Sequence, residues 1–190
     1  TPSQMEQALI GVYNGLLPLS TYALLMSEVR SDNTWCGELS TAQRDYMDIS
    51  SFNPNISTIA TVRDAWNDLF EIVSRLFLSK VDGVNYTIEG IKEQQIGEAR
   101  FLRALAYFDL VRYYGRVPLT LVPQTISEAM STPQSEAVEI YEKVIIPDLE
   151  YAVGSLTEEP KDYLGRKSAS GRATLTAAKA LLGRVYLTMA

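Results

Sequence analysis

The chain has 190 residues, of which 46% are hydrophobic and 21% charged, and its formal net charge is −6. These values describe an ordinary globular domain and exclude collagen-like and low-complexity chains. It contains no histidine and a single cysteine, Cys36, so histidine-based triads, histidine metal sites and intrachain disulfides are excluded. The acidic balance disfavours nucleic acid as a partner. No run of about 18 apolar residues occurs, so no membrane-spanning helix is predicted.

The N-terminal third alternates helical patterns with one long polar segment. A helix is predicted to begin at a capping box made by Ser3 and Glu6 and to end before Pro18. A second helix is predicted over residues 20–29. Residues 30–57 are polar and rich in turn residues, with a short helix predicted inside them. Long loops on rigid scaffolds often carry function.

Two longer helices follow. Apolar residues at helical spacing predict a helix over residues 58–80, with Trp66 on its core stripe. The strongest helical pattern, over residues 89–114, is apolar on two faces and is predicted to end at Gly115.

The C-terminal part is predicted to hold two more helices. Thr132 and Pro133 are typical of a helix start, and Pro147 predicts a kink near Val144 in the helix that follows. A second exposed loop is predicted over residues 157–172, before a last helix that runs to the end of the chain. No sustained strand alternation appears, so the predicted fold class is all-α, with helical pairs of tetratricopeptide-like architecture and long loops.

Residues 98–119, EARFLRALAYFDLVRYYGRVPL, closely resemble the signature of the SusD/RagB family of outer-membrane nutrient-binding lipoproteins from Bacteroidetes. Residues 11–16 and 28–33 resemble the family's first helix and the loop after it. The resemblance covers most of this chain but only the N-terminal third to half of a typical member. Residues 1–190 are therefore expected to be a single N-terminal helical domain of a longer protein.

The resemblance implies a non-catalytic protein that captures an oligosaccharide, or in some members a peptide. It also implies association with a SusC-like TonB-dependent transporter and a surface-exposed place on the cell outer membrane, held by a lipid anchor. The lipid-bearing cysteine is absent from this chain, because Cys36 lies too far inside a loop to take that role. No cofactor and no metal are expected.

Sugar binding requires an aromatic face together with groups that hydrogen-bond to hydroxyls. The first polar loop offers both, so the candidate glycan-binding residues are Arg30, Asp32, Asn33, Trp35 and Tyr46. The alternative is that Trp35 folds back as a loop anchor and Asp32 caps a turn. Tyr86 and Tyr163 are weaker candidates, since each lies alone in a loop.

Charged residues elsewhere favour structural roles. Asp109 and Arg112 are spaced as an i,i+3 pair, and Arg100 and Arg103 are expected to bond carbonyls of adjacent helices rather than a ligand. Close carboxylates along helix surfaces are interpreted as solvated faces rather than catalytic pairs: Asp45 with Asp48, Asp64 with Asp68, and Glu139 with Glu142. No calcium loop pattern is present.

Three functions remain open from the sequence. Glycan capture for nutrient uptake is favoured, and a tetratricopeptide-like scaffold that binds proteins or peptides is the alternative. A glycosidase ranks last. Two carboxylates suffice for that chemistry, but none of the pairs lies in a predicted cleft.

Overall fold

The computed structural model describes residues 1–34, 44–53, 59–75, 81, 83–122, 124–168 and 171–190. Helices dominate these residues, which confirms the all-α class. Two compact units are present: a larger one of Thr1–Asn14 with Ile72–Ala190, and a smaller one of Gly15–Glu71.

The helices in chain order are α1 (Pro2–Asn14), α2 (Leu19–Met26), α3 (Arg44–Ser50), α4 (Ala60–Arg75), α5 (Ile91–Tyr114), α6 (Ile126–Ser131), α7 (Ala137–Ile140), α8 (Ile146–Ser155) and α9 (Leu175–Met189). A 3₁₀ turn, Glu28–Arg30, follows α2, and a π-helical turn, Tyr141–Ile145, joins α7 to α8. Two short strands, β1 (Val117–Pro118) and β2 (Gln134–Ser135), pair antiparallel.

The core of the larger unit is built around α5, which packs on α1, α8 and α9. Its buried side chains cover more than one face, as the sequence predicts, and include Leu102, Tyr107, Phe108 and Leu110. At Gly97 the helix approaches α8 so closely that a Cβ would overlap Ser155 Oγ. Gly115, with a φ of 74°, ends α5 at the predicted residue.

The predicted kink before Pro147 is a π-helical turn. The N–H of Ile146 donates to Tyr141 O, five residues back, and α8 then begins with Pro147 in its first turn. A proline lacks the N–H that an α-helix interior requires, and the wider turn accommodates that loss.

The helix start predicted at Thr132 is wrong. Thr125 makes the capping box with Glu128 and starts α6, whereas Thr132 ends that helix by donating from Oγ1 to Glu128 O at 2.8 Å. Gln134 and the residue after it then pair with β1, so the next helix begins only at Ala137.

The capping box predicted for Ser3 and Glu6 is also wrong, because Glu6 has other partners. Glu6 is buried, 7% exposed, and its carboxylate binds Arg172 and Gln95 instead of the helix start. By length and composition alone, the helical stretch Pro2–Arg30 could cross a membrane, whereas the sequence analysis predicted no membrane-spanning helix. Turn residues 15–18 divide that stretch into α1 and α2.

The smaller unit is held by a separate cluster of buried side chains, Leu25, Val29, Ile49 and Ile59, supplied by α2, the 3₁₀ turn, α3 and the residue before α4. Tyr22 Oη donates to Asp68 Oδ2 at 2.6 Å and so fastens α2 to α4. Trp66, predicted in the core, is half-buried on α4 and lies 4.8 Å from the Phe70 ring, centroid to centroid.

Candidate functional site

Three of the predicted glycan-binding residues lie at one ordered turn of the smaller unit. The 3₁₀ turn ends at Arg30, and Ser31 Oγ then donates to Glu28 O at 2.7 Å while it accepts from Asn33 N at 3.3 Å. Asp32 and Asn33 are exposed at this turn. The loop therefore presents a carboxylate and an amide to solvent on a backbone that local hydrogen bonds hold in place.

Arg30 leads to an aromatic residue that the sequence analysis missed. Its guanidinium carbon lies 4.8 Å from the centroid of the Phe52 ring, at cation–π distance. Phe52 is 59% exposed and has a φ of 53°, a left-handed conformation that is unusual for a bulky residue. Among the described residues, no acceptor bonds to the buried Nε of Arg30.

The turn that carries Phe52 is fixed from α3. Phe52 N donates to Ile49 O at 3.3 Å, and Asn53 Nδ2 donates to Asp48 Oδ1 at 2.9 Å. The signal available in the sequence is an aromatic residue directly before the Asn53-Pro54 turn. We refer to Arg30, Asp32, Asn33 and Phe52 as the loop surface.

The remaining predicted glycan residues differ in placement. Tyr46 packs against the buried cluster that includes Val29 and Ile49, and it is itself partly buried. Its ring therefore supports α3 and leaves only part of its surface for a ligand. Trp35 lies outside the described residues, as does Cys36, and its role stays a prediction.

The weaker tyrosine candidates are both half-buried. Tyr86 Oη donates to Gln95 Oε1 at 2.7 Å, whereas Tyr163 lies in the turn that begins at Asp162. Burial raises the pKa of the Tyr86 phenol, and the charges of Glu6 and Glu93 raise it further.

Most of the paired carboxylates make structural bonds. Asp45 Oδ2 accepts from Thr61 N and Oγ1 at the start of α4, at 3.3 and 3.1 Å. Several others have protein partners as well: Asp48 with Asn53, Asp64 with Arg63, Asp68 with Tyr22, and Glu139 with Lys143. Within the described part of the chain, no three Cys, Asp or Glu side chains are grouped so as to hold a metal ion.

The segment predicted as an exposed loop, residues 157–172, ends in a buried ion cluster. Arg172 donates to Glu98 through Nε at 2.8 Å and through Nη2 at 2.7 Å, and it also binds Glu6. Burial opposes the charge of Arg172, but the two carboxylates raise the pKa of its guanidinium. Tyr13 Oη donates to Glu98 Oε2, and burial together with that carboxylate raises the pKa of Tyr13.

The arginines of α5 have the predicted structural role but a different acceptor. Arg103 binds both carboxylate oxygens of Asp148 on α8, at 2.6 and 2.8 Å, and Arg100 lies 3.6 Å from the same group. Among the described residues, both arginines therefore pair with a carboxylate instead of the carbonyls that were expected. Burial raises the pKa of Asp148. The guanidinium groups of Arg103 and Arg100 lower this pKa and so offset part of the effect of burial. Asp109 and Arg112 form the predicted pair at 3.2 Å.

Comparison with known proteins identifies the family. A SusD-like family model, described as starch-binding and associating with the outer membrane, matches residues 3–187. The chain belongs to this SusD-like family, and the resemblance of residues 98–119 is thereby confirmed.

Three related proteins illustrate the likeness. A SusD-like protein of Bacteroides ovatus is 34% identical over 128 residues, 65% of this chain and 22% of the relative. The structure of a laminarin-binding SusD-like protein matches with a TM-score of 0.79 and 29% identity, over 98% of this chain and 40% of that one. A crystal structure with xylogluco-oligosaccharide matches with a TM-score of 0.73 and 26% identity, over 96% and 34%. The chain thus spans between 22% and 40% of the length of these relatives.

Proposed function

We propose that the protein is a non-catalytic glycan-binding protein that captures an oligosaccharide for nutrient uptake. The observation that carries this proposal is the loop surface, where an exposed aromatic ring, a guanidinium, a carboxylate and an amide occur within one small unit. Family membership and the two similar structures, one described as laminarin-binding and one containing a xylogluco-oligosaccharide, support it.

The residue types of the loop surface match the chemistry of a sugar. The free face of Phe52 can stack on the apolar C–H face of a pyranose ring. Asp32 accepts hydrogen bonds from hydroxyls, and the Asn33 amide both donates and accepts. Affinity in such a site comes from several modest contacts spread over an open surface.

The charge of the smaller unit favours a neutral ligand. Residues 15–71 contain eight acidic and three basic side chains, a net charge of −5 out of −6 for the whole chain. A surface in this field repels uronic acids and sulfated sugars and leaves the binding of uncharged sugars unaffected. The proposed substrate class is therefore a neutral oligosaccharide.

We further propose that the ligand passes to a SusC-like TonB-dependent transporter, and that the protein acts on the surface of the outer membrane through a lipid anchor. The family description, which includes association with the outer membrane, supports this location. Residues 1–190 would then act as the N-terminal helical domain of a longer protein. The proposal of a non-catalytic role is supported by the structural partners of Asp45, Asp48 and Asp68.

The experiment measures retardation of the purified chain in native gels that contain laminarin, xyloglucan or the uronate polymer alginate. Three variants at predicted glycan residues, Trp35→Ala, Asp32→Ala and Asn33→Ala, are compared with Asp64→Ala, whose exposed side chain on α4 pairs with its neighbour Arg63. We expect laminarin or xyloglucan to retard the wild type, and the three loop variants to lose at least tenfold in affinity with unchanged melting temperatures. Equal retardation of all variants would reject the loop surface as the site.

One observation favours the alternative of an interaction scaffold. The last turn of α9 exposes Tyr186, Leu187 and Met189, with exposed fractions of 48%, 80% and 40%. Exposed apolar and aromatic side chains at a helix end are suited to bind another helix or a peptide. If no glycan retards the chain and Leu187→Ser abolishes binding to a SusC-like transporter, the scaffold function replaces glycan capture.

A further inference from the structure

An open groove in the larger unit is formed by residues that the loop surface does not include. Its volume is about 400 Å³, within the range of small-molecule sites. The lining combines apolar and polar side chains: Val84, Tyr86, Thr87, Ile88, Glu89, Gly90, Lys92 and Glu93.

Tyr86, the aromatic residue that lines this groove, is fixed by a chain of hydrogen bonds. Tyr86 Oη donates to Oε1 of Gln95, a residue with no exposed surface, and Gln95 Nε2 in turn donates to Glu6 Oε2 at 2.7 Å. Glu6 is paired with Arg172. Because each group has a fixed partner, the Tyr86 phenol is oriented before any ligand arrives.

A second contact holds the apolar wall. The turn from Asp162 to Arg166 packs on Ile88, since a Cβ on Gly165 would lie 3.3 Å from Ile88 Cδ1. That turn is anchored to α5 by Gln94, whose amide bonds both backbone groups of Lys161. A groove with two supported walls loses little conformational entropy on binding, which is the advantage of preorganisation.

We propose that this groove is a second saccharide-binding site, which takes about one or two units of a neutral glycan. The inference rests on the proposed function of glycan capture and adds a separate site to it. The Tyr86 ring offers an apolar face to the sugar, while Thr87, Glu89 and Glu93 offer exposed oxygens to its hydroxyls. Glu89 and Glu93 outnumber Lys92, the one cation among the described residues of the lining, so the net negative charge of the groove disfavours uronate and sulfate groups.

The test is isothermal titration of the purified chain with laminarihexaose and with a xyloglucan heptasaccharide. We expect two equivalents on the wild type with one of these probes, and one equivalent on Tyr86→Ala. Tyr86→Phe keeps the ring but loses the bond to Gln95, so it should retain both equivalents with a several-fold weaker second phase. The control Met130→Ala truncates an exposed side chain of α6 that belongs to neither proposed site, and it should retain both equivalents unchanged.

A double variant, Asp32→Ala with Asn33→Ala, separates the two proposals. If the double variant still binds one equivalent of the sugar, and adding Tyr86→Ala abolishes that binding, the groove is a separate binding site. If the wild type binds one equivalent that Tyr86→Ala leaves intact, the groove proposal is wrong and glycan capture stands; if neither probe binds the wild type, both are wrong. Thr87→Ala and Glu93→Gln, at exposed positions, carry the test if Tyr86→Ala unfolds.

Discussion

Gln94 holds the backbone of Lys161 at both of its hydrogen-bonding groups. Its Nε2 donates to Lys161 O at 2.8 Å, and its Oε1 accepts from Lys161 N at 3.0 Å. Sixty-seven residues separate the two in sequence. A buried side-chain amide thus replaces a neighbouring strand as the partner of a loop backbone.

Replacing Gln94 should loosen this loop and lower stability. Gln94→Ala leaves the two backbone groups of Lys161 without this partner and removes one of several bonds to Glu98, and a buried unsatisfied group costs about 1–3 kcal/mol. We expect a fall of that size in the free energy of unfolding in urea, with loss of hydrogen-exchange protection at the Lys161 amide. Glu159→Ala, which breaks an exposed pair with Lys167 in the same loop, should leave both unchanged. Retained protection at Lys161 in Gln94→Ala would refute the role of this amide.

Two helical glycines should respond in opposite directions to alanine. Gly97→Ala places a methyl group against Ser155 Oγ at the contact of α5 with α8, so strain should outweigh the gain in helix propensity. Gly183→Ala on α9 meets no atom within 4 Å and should stabilise the protein by up to about 1 kcal/mol. Thermal denaturation of both variants checks the pair, and a higher melting temperature for Gly97→Ala would show that the two helices are not in close contact there.

The capping box of α6 predicts a pH dependence. Thr125 donates to the Glu128 carboxylate through its backbone N–H and its hydroxyl, and these bonds hold the pKa of Glu128 below its ordinary value. Since the folded pKa is the lower one, the stabilisation is complete above the ordinary pKa and is lost as the pH falls through the folded value. A carboxyl NMR titration should show the lowered pKa in wild type.

A variant of the same box provides the comparison. Thr125→Ala removes the hydroxyl and keeps the backbone donor, so the pKa of Glu128 should rise part of the way to its ordinary value. Thr188→Ala, at an exposed threonine of α9, should not change it. An ordinary pKa for Glu128 in the wild-type protein would mean that the box does not form in solution.

Phe52 should be more important for binding than for stability. A left-handed φ costs a non-glycine residue roughly 1–2 kcal/mol, and an exposed cation–π contact returns about 0.5–1 kcal/mol. Phe52→Gly removes both terms, so the free energy of unfolding should change by no more than about 1 kcal/mol. Affinity for laminarin or xyloglucan should nevertheless fall, because the stacking face is gone.

Phe52→Leu tests the aromatic ring itself, since it keeps apolar volume at the same place. We expect its glycan affinity to match that of Phe52→Gly in the native-gel assay. Affinity equal to wild type in both variants would remove Phe52 from the loop surface.

Local patterns predicted the helices well where one signal dominates. The helix that ends at Gly115 was found because its apolar residues and its terminating glycine agree. The helix start predicted at Thr132 is wrong because Thr132 and Pro133 match the residue pattern of a helix start. The structure instead pairs Gln134 with Pro118, a contact between residues 16 positions apart. A pattern of neighbouring residues cannot reveal a strand pairing of this kind, which competes with helix formation.

The same limit applies to the functional groups. The sequence predicts that Asp32 and Asn33 are exposed, because polar residues in a turn-rich segment tend to lie at the surface. Phe52 is not predicted as a site residue, because neither its left-handed backbone nor its contact with Arg30 produces a periodic pattern in the sequence. The burial of Arg172 depends on Glu6, 166 positions away, so the sequence pattern pointed to an exposed loop.

The π-helical turn before Pro147 also acts as a one-residue insertion in an otherwise regular helix. Each residue of an α-helix turns the chain by about 100°, so the extra residue sets which side of α8 faces inward. Deleting one residue from Tyr141–Ile145 would restore the α-helical repeat and rotate Asp148, Leu149 and Ala152 out of the core by that angle. Asp148 would then lose its contact with Arg103. The side of α8 that is now buried would face solvent, although the sequence of α8 itself is unchanged.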